Sequence, residues 1–210
     1  MQLNRNWLVS TIALVAISIV SASGQGPTEK DENAFLQRIF LPSIDVGYQV
    51  HNSSLIEGAL KFATSIEYRF KNNNDFFVRA SYDTYGARYK LSDGNRTSNT
   101  IEGTVQFSDI SFGPGYRLGD KTYRIMFTVM PGIKLYEFPT ANINGQQIEI
   151  SQAGKSIFTT TAMTTLEYYF DRKSAFTFSV FHNRVWQKVD FWEDGRSGVG
   201  ISIGFITSLL

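Results

Sequence analysis

Between Gly58 and Phe70 apolar and polar residues alternate: Leu60, Phe62, Ile66, Tyr68 and Phe70 fall on one side, Lys61, Ala63, Ser65, Glu67 and Arg69 on the other. A period of two belongs to an extended chain whose successive side chains face opposite sides of a sheet; a helix would mix the two sets. The pattern recurs along the chain. A first segment, about Phe40 to Val50, sets Ile44, Val46, Tyr48 and Val50 against Asp45, Gly47 and Gln49. A third, after the turn-rich Lys71–Asp75, sets Phe76, Val78, Ala80 and Tyr82 against Arg79, Ser81, Asp83 and Tyr85. The fourth starts at Ile101 with Gly103, Val105 and Phe107 on the apolar side, then Ile110, Phe112, Pro114 and Tyr116 take over. That change of phase predicts a β-bulge near Ser108–Asp109. A fifth spans Tyr123 to Tyr136, a sixth about Ser156 to Phe170 and a seventh Ala175 to about Gln187. The eighth places Val199, Ile201, Ile203, Phe205 and Leu209 opposite Gly198, Gly200, Ser202, Gly204 and Ser208.

The connections alternate in length. Lys71–Asp75, Leu118–Thr122 and Asp171–Ser174 are short turns by composition, whereas Leu91–Asn99, Glu137–Lys155 and the region around Trp192–Arg196 read as longer polar loops. An even number of antiparallel strands with short turns at one end and longer loops at the other is the pattern of outer-membrane barrels. Ahead of the strands, Trp7 to Val20 is a nearly unbroken apolar run after the cation Arg5, and Ser21-Ala22-Ser23-Gly24 follows it. About 14 apolar residues fall short of the roughly 20 that span a bilayer as a helix, so residues 1–24 are expected to be a secretory signal peptide. Residues 25–38 are polar and charged and read as a periplasmic lead-in with a possible short helix, leaving 39–210 as the barrel.

Alternation alone does not separate a membrane barrel from a soluble ligand-carrying barrel, because the two differ in which row points outward. Here the polar row mixes small residues (Gly47, Ala63, Ser65, Ser81, Gly132, Gly200, Ser202, Gly204) with both signs of charge. The charged members are Asp45, Lys61, Glu67, Arg69, Arg79, Asp83, Glu102, Arg124, Lys134 and Glu167. An eight-stranded barrel is just wide enough inside for side chains to fill it, and small residues beside paired charges suit that interior. The apolar row carries aromatics near the strand ends (Tyr68, Phe70, Phe76, Tyr116, Tyr123, Tyr168, Phe170), as an interfacial girdle does. The expected fold is therefore all-β: an eight-stranded antiparallel up-and-down transmembrane β-barrel with both termini in the periplasm.

At Phe112-Gly113-Pro114-Gly115-Tyr116-Arg117-Leu118, together with Gly132–Tyr136 and the glycine-punctuated last strand, the chain resembles the small outer-membrane β-barrel domain family of Bacteroidetes-type bacteria, labelled PorT-like. The resemblance covers essentially the whole mature chain. It implies an integral outer-membrane protein inserted by the barrel-assembly machinery and fixes no single activity. The ending Ser208-Leu209-Leu210 departs from the terminal aromatic common in such proteins, so Phe205 would have to serve as the assembly signal.

Composition narrows the chemistry. With a net charge of +1 there is no basic field to gather nucleic acid, and with no cysteine there is no disulfide, thiolate nucleophile or Cys metal site. The two histidines, His51 and His182, lie far apart in sequence without a Glu-x-x-His arrangement, so no metal site, cofactor or catalytic residue is assigned. A lipid A-modifying enzyme would need a Ser, a His and a carboxylate together near the outer rim. His51 beside Asn52, Ser53 and Ser54 is the one place to look for them, although adjacent strand residues face opposite ways. Gly113-x-Gly115 and the glycines of the eighth segment lack the helix and Lys-Ser/Thr pair of a phosphate loop and read as bulge and close-packing glycines. Asn52-Ser53-Ser54 and Asn95-Arg96-Thr97 fit the glycosylation pattern only as loop markers. The expected function is non-enzymatic, with a structural, adhesion or surface-interaction role through external loops; the alternatives are a subunit of a secretion or gliding machine and a lipid A-modifying enzyme. Expected partners are outer-membrane lipid and lipopolysaccharide, the barrel-assembly machinery and an envelope protein met through Glu137–Lys155 or Asp190–Gly195.

Overall fold

The computed structural model describes residues 39–53, 56–70, 73–92, 100–144, 147–187 and 197–208. The segments expected to be a signal peptide (1–24) and a lead-in (25–38), most of the expected Leu91–Asn99 loop and the expected Asp190–Gly195 loop lie outside the described residues. Eight strands run in chain order: β1 Ile39–His51, β2 Ala59–Phe70, β3 Asn73–Ser92, β4 Thr100–Gly119, β5 Tyr123–Asn144, β6 Gln147–Tyr169, β7 Ser174–Val185 and β8 Ser197–Ser208. Each pairs antiparallel with its sequence neighbour, and β1 closes onto β8 to make a barrel with no free edge through its wall.

The two rows separate as the alternation predicts. Apolar side chains point outward into open surface: Ile203 is 65% exposed, Ile44 64% and Phe112 59%, whereas Glu67, Glu167 and Lys134 are 0% exposed in the lumen. In water this arrangement would leave a continuous apolar belt unburied, so its favourable surroundings are lipid. At the short-turn end the belt finishes in ring pairs: Phe76 with Tyr116 (centroids 4.8 Å apart), Phe170 with Phe176 (5.1 Å) and Tyr123 with Tyr168 (5.2 Å). Two of the short turns share one device. The Asp120 carboxylate accepts from the backbone N–H groups of Thr122 and Tyr123, and Asp171 accepts from those of Lys173 and Ser174. Those backbone donors hold the Asp120 carboxyl below its ordinary pKa. Gly119, at φ 133°, supplies the backbone conformation that starts the first of these turns.

Two expectations are corrected. Glu137–Lys155 is not a loop: β5 and β6 pair without interruption out to Asn144↔Gln147, leaving two residues between them. The asymmetry between the barrel's ends therefore lies in strand length as well as in loops. β1, β2, β7 and β8 have 12 or 13 residues, close to the roughly 9–11 that cross a bilayer at a tilt, while β3 to β6 have 20 to 23. β3–β4 and β5–β6 thus project beyond the belt as two hairpins. The bulge expected near Ser108–Asp109 is also absent: β3 and β4 stay in one register from Phe76↔Tyr116 to Ser92↔Thr100. Val105 and Phe107 face inward like Asp109 and Ser111, because the lumen itself turns apolar at the long-hairpin end. The register shift in β1 instead falls between Leu41 and Ile44 and spans Pro42, a residue with no N–H to give to a ladder.

Gly113 packs its α-carbon against the backbone carbonyl of Val129 in β5, where an added Cβ would overlap the carbonyl oxygen. Gly154 would place a Cβ no closer than 3.9 Å to Glu137 Cγ. Gly113→Ala is expected to lower the unfolding free energy in lipid vesicles by about 2 kcal/mol or more, and Gly154→Ala to leave it within about 0.5 kcal/mol. Urea midpoints of the two variants check this, and equal midpoints would contradict the packing.

Candidate functional site

The lumen is where the sequence concentrates charge, and the fold brings those charges together. Near the short-turn end Glu67 and Glu167 meet Arg69, Arg79 and Arg117. Arg69 Nε donates to Glu67 Oε1 at 2.6 Å and Arg69 Nη2 to Glu167 Oε1 at 3.3 Å. Arg117 Nη2 donates to the same Glu67 oxygen at 2.5 Å, with Arg117 Nε 3.4 Å from Glu167 Oε2 and Arg79 Nε 3.6 Å from Glu67 Oε2. The Tyr169 hydroxyl donates to Glu167 Oε2 at 3.0 Å. The Arg69 guanidinium lies over the Phe40 ring and that of Arg117 over Phe77, so the flat faces of the cations are covered as well as their edges. Gly115 leaves the space that the Phe77 ring occupies.

Toward the long hairpins the charges continue as pairs. Lys61 meets Asp83 at 2.7 Å. Lys134 meets Asp109 at 3.2 Å and donates to the Tyr85 hydroxyl at 2.7 Å and to Asn183 Oδ1 at 3.0 Å. Near mid-barrel, beside Lys61, Asp83 and Phe181, an internal cavity leaves about 20 Å³ for the centres of water molecules, room for about one. Above it an apolar plug closes the lumen, with Tyr85, Val105, Phe107, Tyr136, Ile157 and Val185 all buried. Such a lumen is a filled core rather than an open channel.

The sequence placed most of these residues correctly, with three exceptions. Asp109 and Arg117, read as part of a bulge and of a family segment, are buried ion-pair members; an unbroken alternation through β4 would have put both in the inward row. Glu102 is not luminal. It lies on the projecting β3–β4 hairpin and pairs with Lys90 at 2.9 Å, both side chains more than half exposed. That hydrogen bond lowers the Glu102 pKa and raises the Lys90 pKa. The two histidines are not brought together. His51 is buried in the plug, stacked on Tyr85 (5.6 Å between centroids) and Phe107 (6.1 Å), whereas His182 is on the outward row of β7. The inward orientation takes His51 away from the lipid surface where a lipid A substrate would lie. Among the described residues no group of three or more metal-ligating side chains is placed to hold an ion.

No protein-family model and no curated protein matches the chain. Solved structures do. The chain is similar to Neisserial surface protein A at 17% identity, over 81% of this chain and 97% of that one, with a TM-score of 0.52. Ail, the attachment invasion locus protein of Yersinia pestis, aligns at 15% identity over 82% and 98% of the two chains with a TM-score of 0.49. The N-terminal β-barrel domain of Pseudomonas aeruginosa OprF aligns at 18% identity over 81% and 98%, with a TM-score of 0.40. At 17% identity the first likeness carries the fold, that of a small outer-membrane β-barrel.

Removing one carboxylate from the Glu67 cluster leaves three buried guanidinium groups facing Glu167 alone. Glu67→Gln is expected to cost about 3–5 kcal/mol, and adding Arg79→Met to recover part of that loss. Urea unfolding of both variants in lipid vesicles measures it, and an additive double variant would show that the cluster does not act as a unit.

Proposed function

We propose that the chain is an integral outer-membrane β-barrel protein without enzymatic activity, acting in a structural, adhesion or surface-interaction role through the hairpins at its long end. The observation that carries this reading is the contrast between a lumen closed by ion pairs and aromatic rings and an outer end where four strands continue well past the membrane belt. A filled lumen leaves no passage for substrate, and function then falls to the surfaces that project. The short turns face the periplasm in this reading, which puts both termini there, as suits a chain delivered by a signal peptide and inserted by the barrel-assembly machinery. Membership of the PorT-like family agrees with the Phe112–Leu118 segment, where Gly113 and Gly115 make the close approaches described above. Lipopolysaccharide and an envelope protein met at the two hairpins are the partners this reading assigns.

Carbonate-washed outer membranes test it. The mature protein is expected to remain in the pellet and to change gel mobility between unboiled and boiled samples. Release into the soluble fraction would overturn the membrane reading and make the apolar row the lining of a ligand cup.

A further inference from the structure

The lipid-facing row of β7 changes character along its length. From the short-turn end it reads Phe176, Phe178, Val180, then His182, Arg184 and, one residue past the strand, Trp186. The last three form a built surface. Trp186 Nε1 donates to Thr160 Oγ1 of β6 at 2.8 Å, and the Trp186 backbone N–H donates to the Phe158 carbonyl at 3.1 Å. The ring is thereby fixed from both its edge and its backbone. The Arg184 guanidinium lies over that fixed ring, 4.6 Å from its centroid. In register, Arg184 stands between Thr160 of β6 and Ser197 of β8. Among the described residues the lumen arginines Arg69, Arg79 and Arg117 each meet a carboxylate, whereas no ion pair engages Arg184.

We propose that Arg184, held on Trp186 with Thr160, Ser197 and His182 around it, binds the phosphate group of an outer-leaflet glycolipid of the lipid A type. The proposal rests on the membrane orientation given above and deepens it by naming the lipid contact. A cation on a lipid-facing wall is tolerated near the interface rather than at mid-bilayer, and that is the depth of the headgroup phosphates. The guanidinium fork matches two phosphate oxygens at once, and the indole platform orders it beforehand, so less freedom is lost on binding. Among the described residues, the side chains flanking Arg184 in the register of β6 and β8 are the hydroxyls of Thr160 and Ser197, and His182 lies one outward position along β7, so these neighbours add donors rather than a repelling acid. A free phosphate ion would not need the apolar wall that follows toward the short-turn end, Val199 beside His182 and then Val180 beside Ile201; a lipid does, because its acyl chains lie there.

The test uses the full folded chain in phosphatidylcholine nanodiscs containing bisphosphorylated lipid A or its dephosphorylated form, with lipid retained after detergent extraction counted by native mass spectrometry. Wild-type protein is expected to retain the phosphorylated lipid and not the dephosphorylated one. Arg184→Gln is expected to reduce retention about tenfold and Arg184→Lys to reduce it less, because an ammonium keeps the charge but loses the fork. Unchanged gel mobility of the unboiled variants shows that they are folded. Equal retention by Arg184→Gln, equal retention of the dephosphorylated lipid, or displacement of lipid A by inorganic phosphate would each overturn the proposal. Loss of the protein to the carbonate supernatant would instead overturn the membrane reading on which it rests.

Discussion

A carboxylate enclosed by a barrel only eight strands wide must be met by cations projecting into the same lumen, and Glu67 imposes that condition on the strands around it. It is wholly buried, and the arginines that satisfy it come from β2 itself, from β3 and from β4, while Glu167 of β6 ties in two of the same guanidinium groups. Burying such charges is costly unless each finds partners in good geometry. A shift of one residue in any of those strands would turn its charged row out into lipid and its apolar row inward. The ion-pair cluster is therefore a device for fixing register as well as a filling for the core, and the lipid-facing belt follows from it.

The lumen is layered accordingly. Aromatic rings close the short-turn end against the arginines, opposite charges fill the middle, and an apolar plug closes the long end. The plug explains why β4 has an inward row that begins apolar and becomes charged without any irregularity in its backbone. A barrel with such contents has no need of a ligand to fill it, and its distinctive surfaces are those that continue beyond it: the β3–β4 and β5–β6 hairpins.

Much of this was legible in the chain. The alternation in Leu60–Phe70 and in Val199–Phe205 gave the strands, and the mixture of Gly, Ser and paired charges gave the inward face. What escaped did so for identifiable reasons. The run from Glu137 to Lys155 has the polarity of a loop because a hairpin standing clear of the membrane has water on its surface; the sequence signal of a two-residue connection is Gly145 as the first residue between the paired Asn144 and Gln147. Arg117 and Asp109 do not stand out in the sequence because apolar residues in β4 occur on both faces: Val105 and Phe107 are core, whereas Ile110 and Phe112 face outward. His51 stands in the sequence beside the polar Asn52, Ser53 and Ser54, and its burial depends on Tyr85 and Phe107 from β3 and β4, contacts that no local pattern announces.

The central claim is the assignment of faces, and the absence of cysteine from the sequence makes it directly measurable. Single cysteines placed in turn at positions 199 to 206 of β8, spin-labelled in lipid vesicles, report accessibility to oxygen, which concentrates in lipid, and to a water-soluble nickel chelate. Oxygen accessibility is expected to peak at 199, 201, 203 and 205 and to fall at the positions between, with the nickel chelate excluded from all four outward sites. Peaks at 200, 202, 204 and 206, or free access of the chelate to the odd positions, would contradict the account.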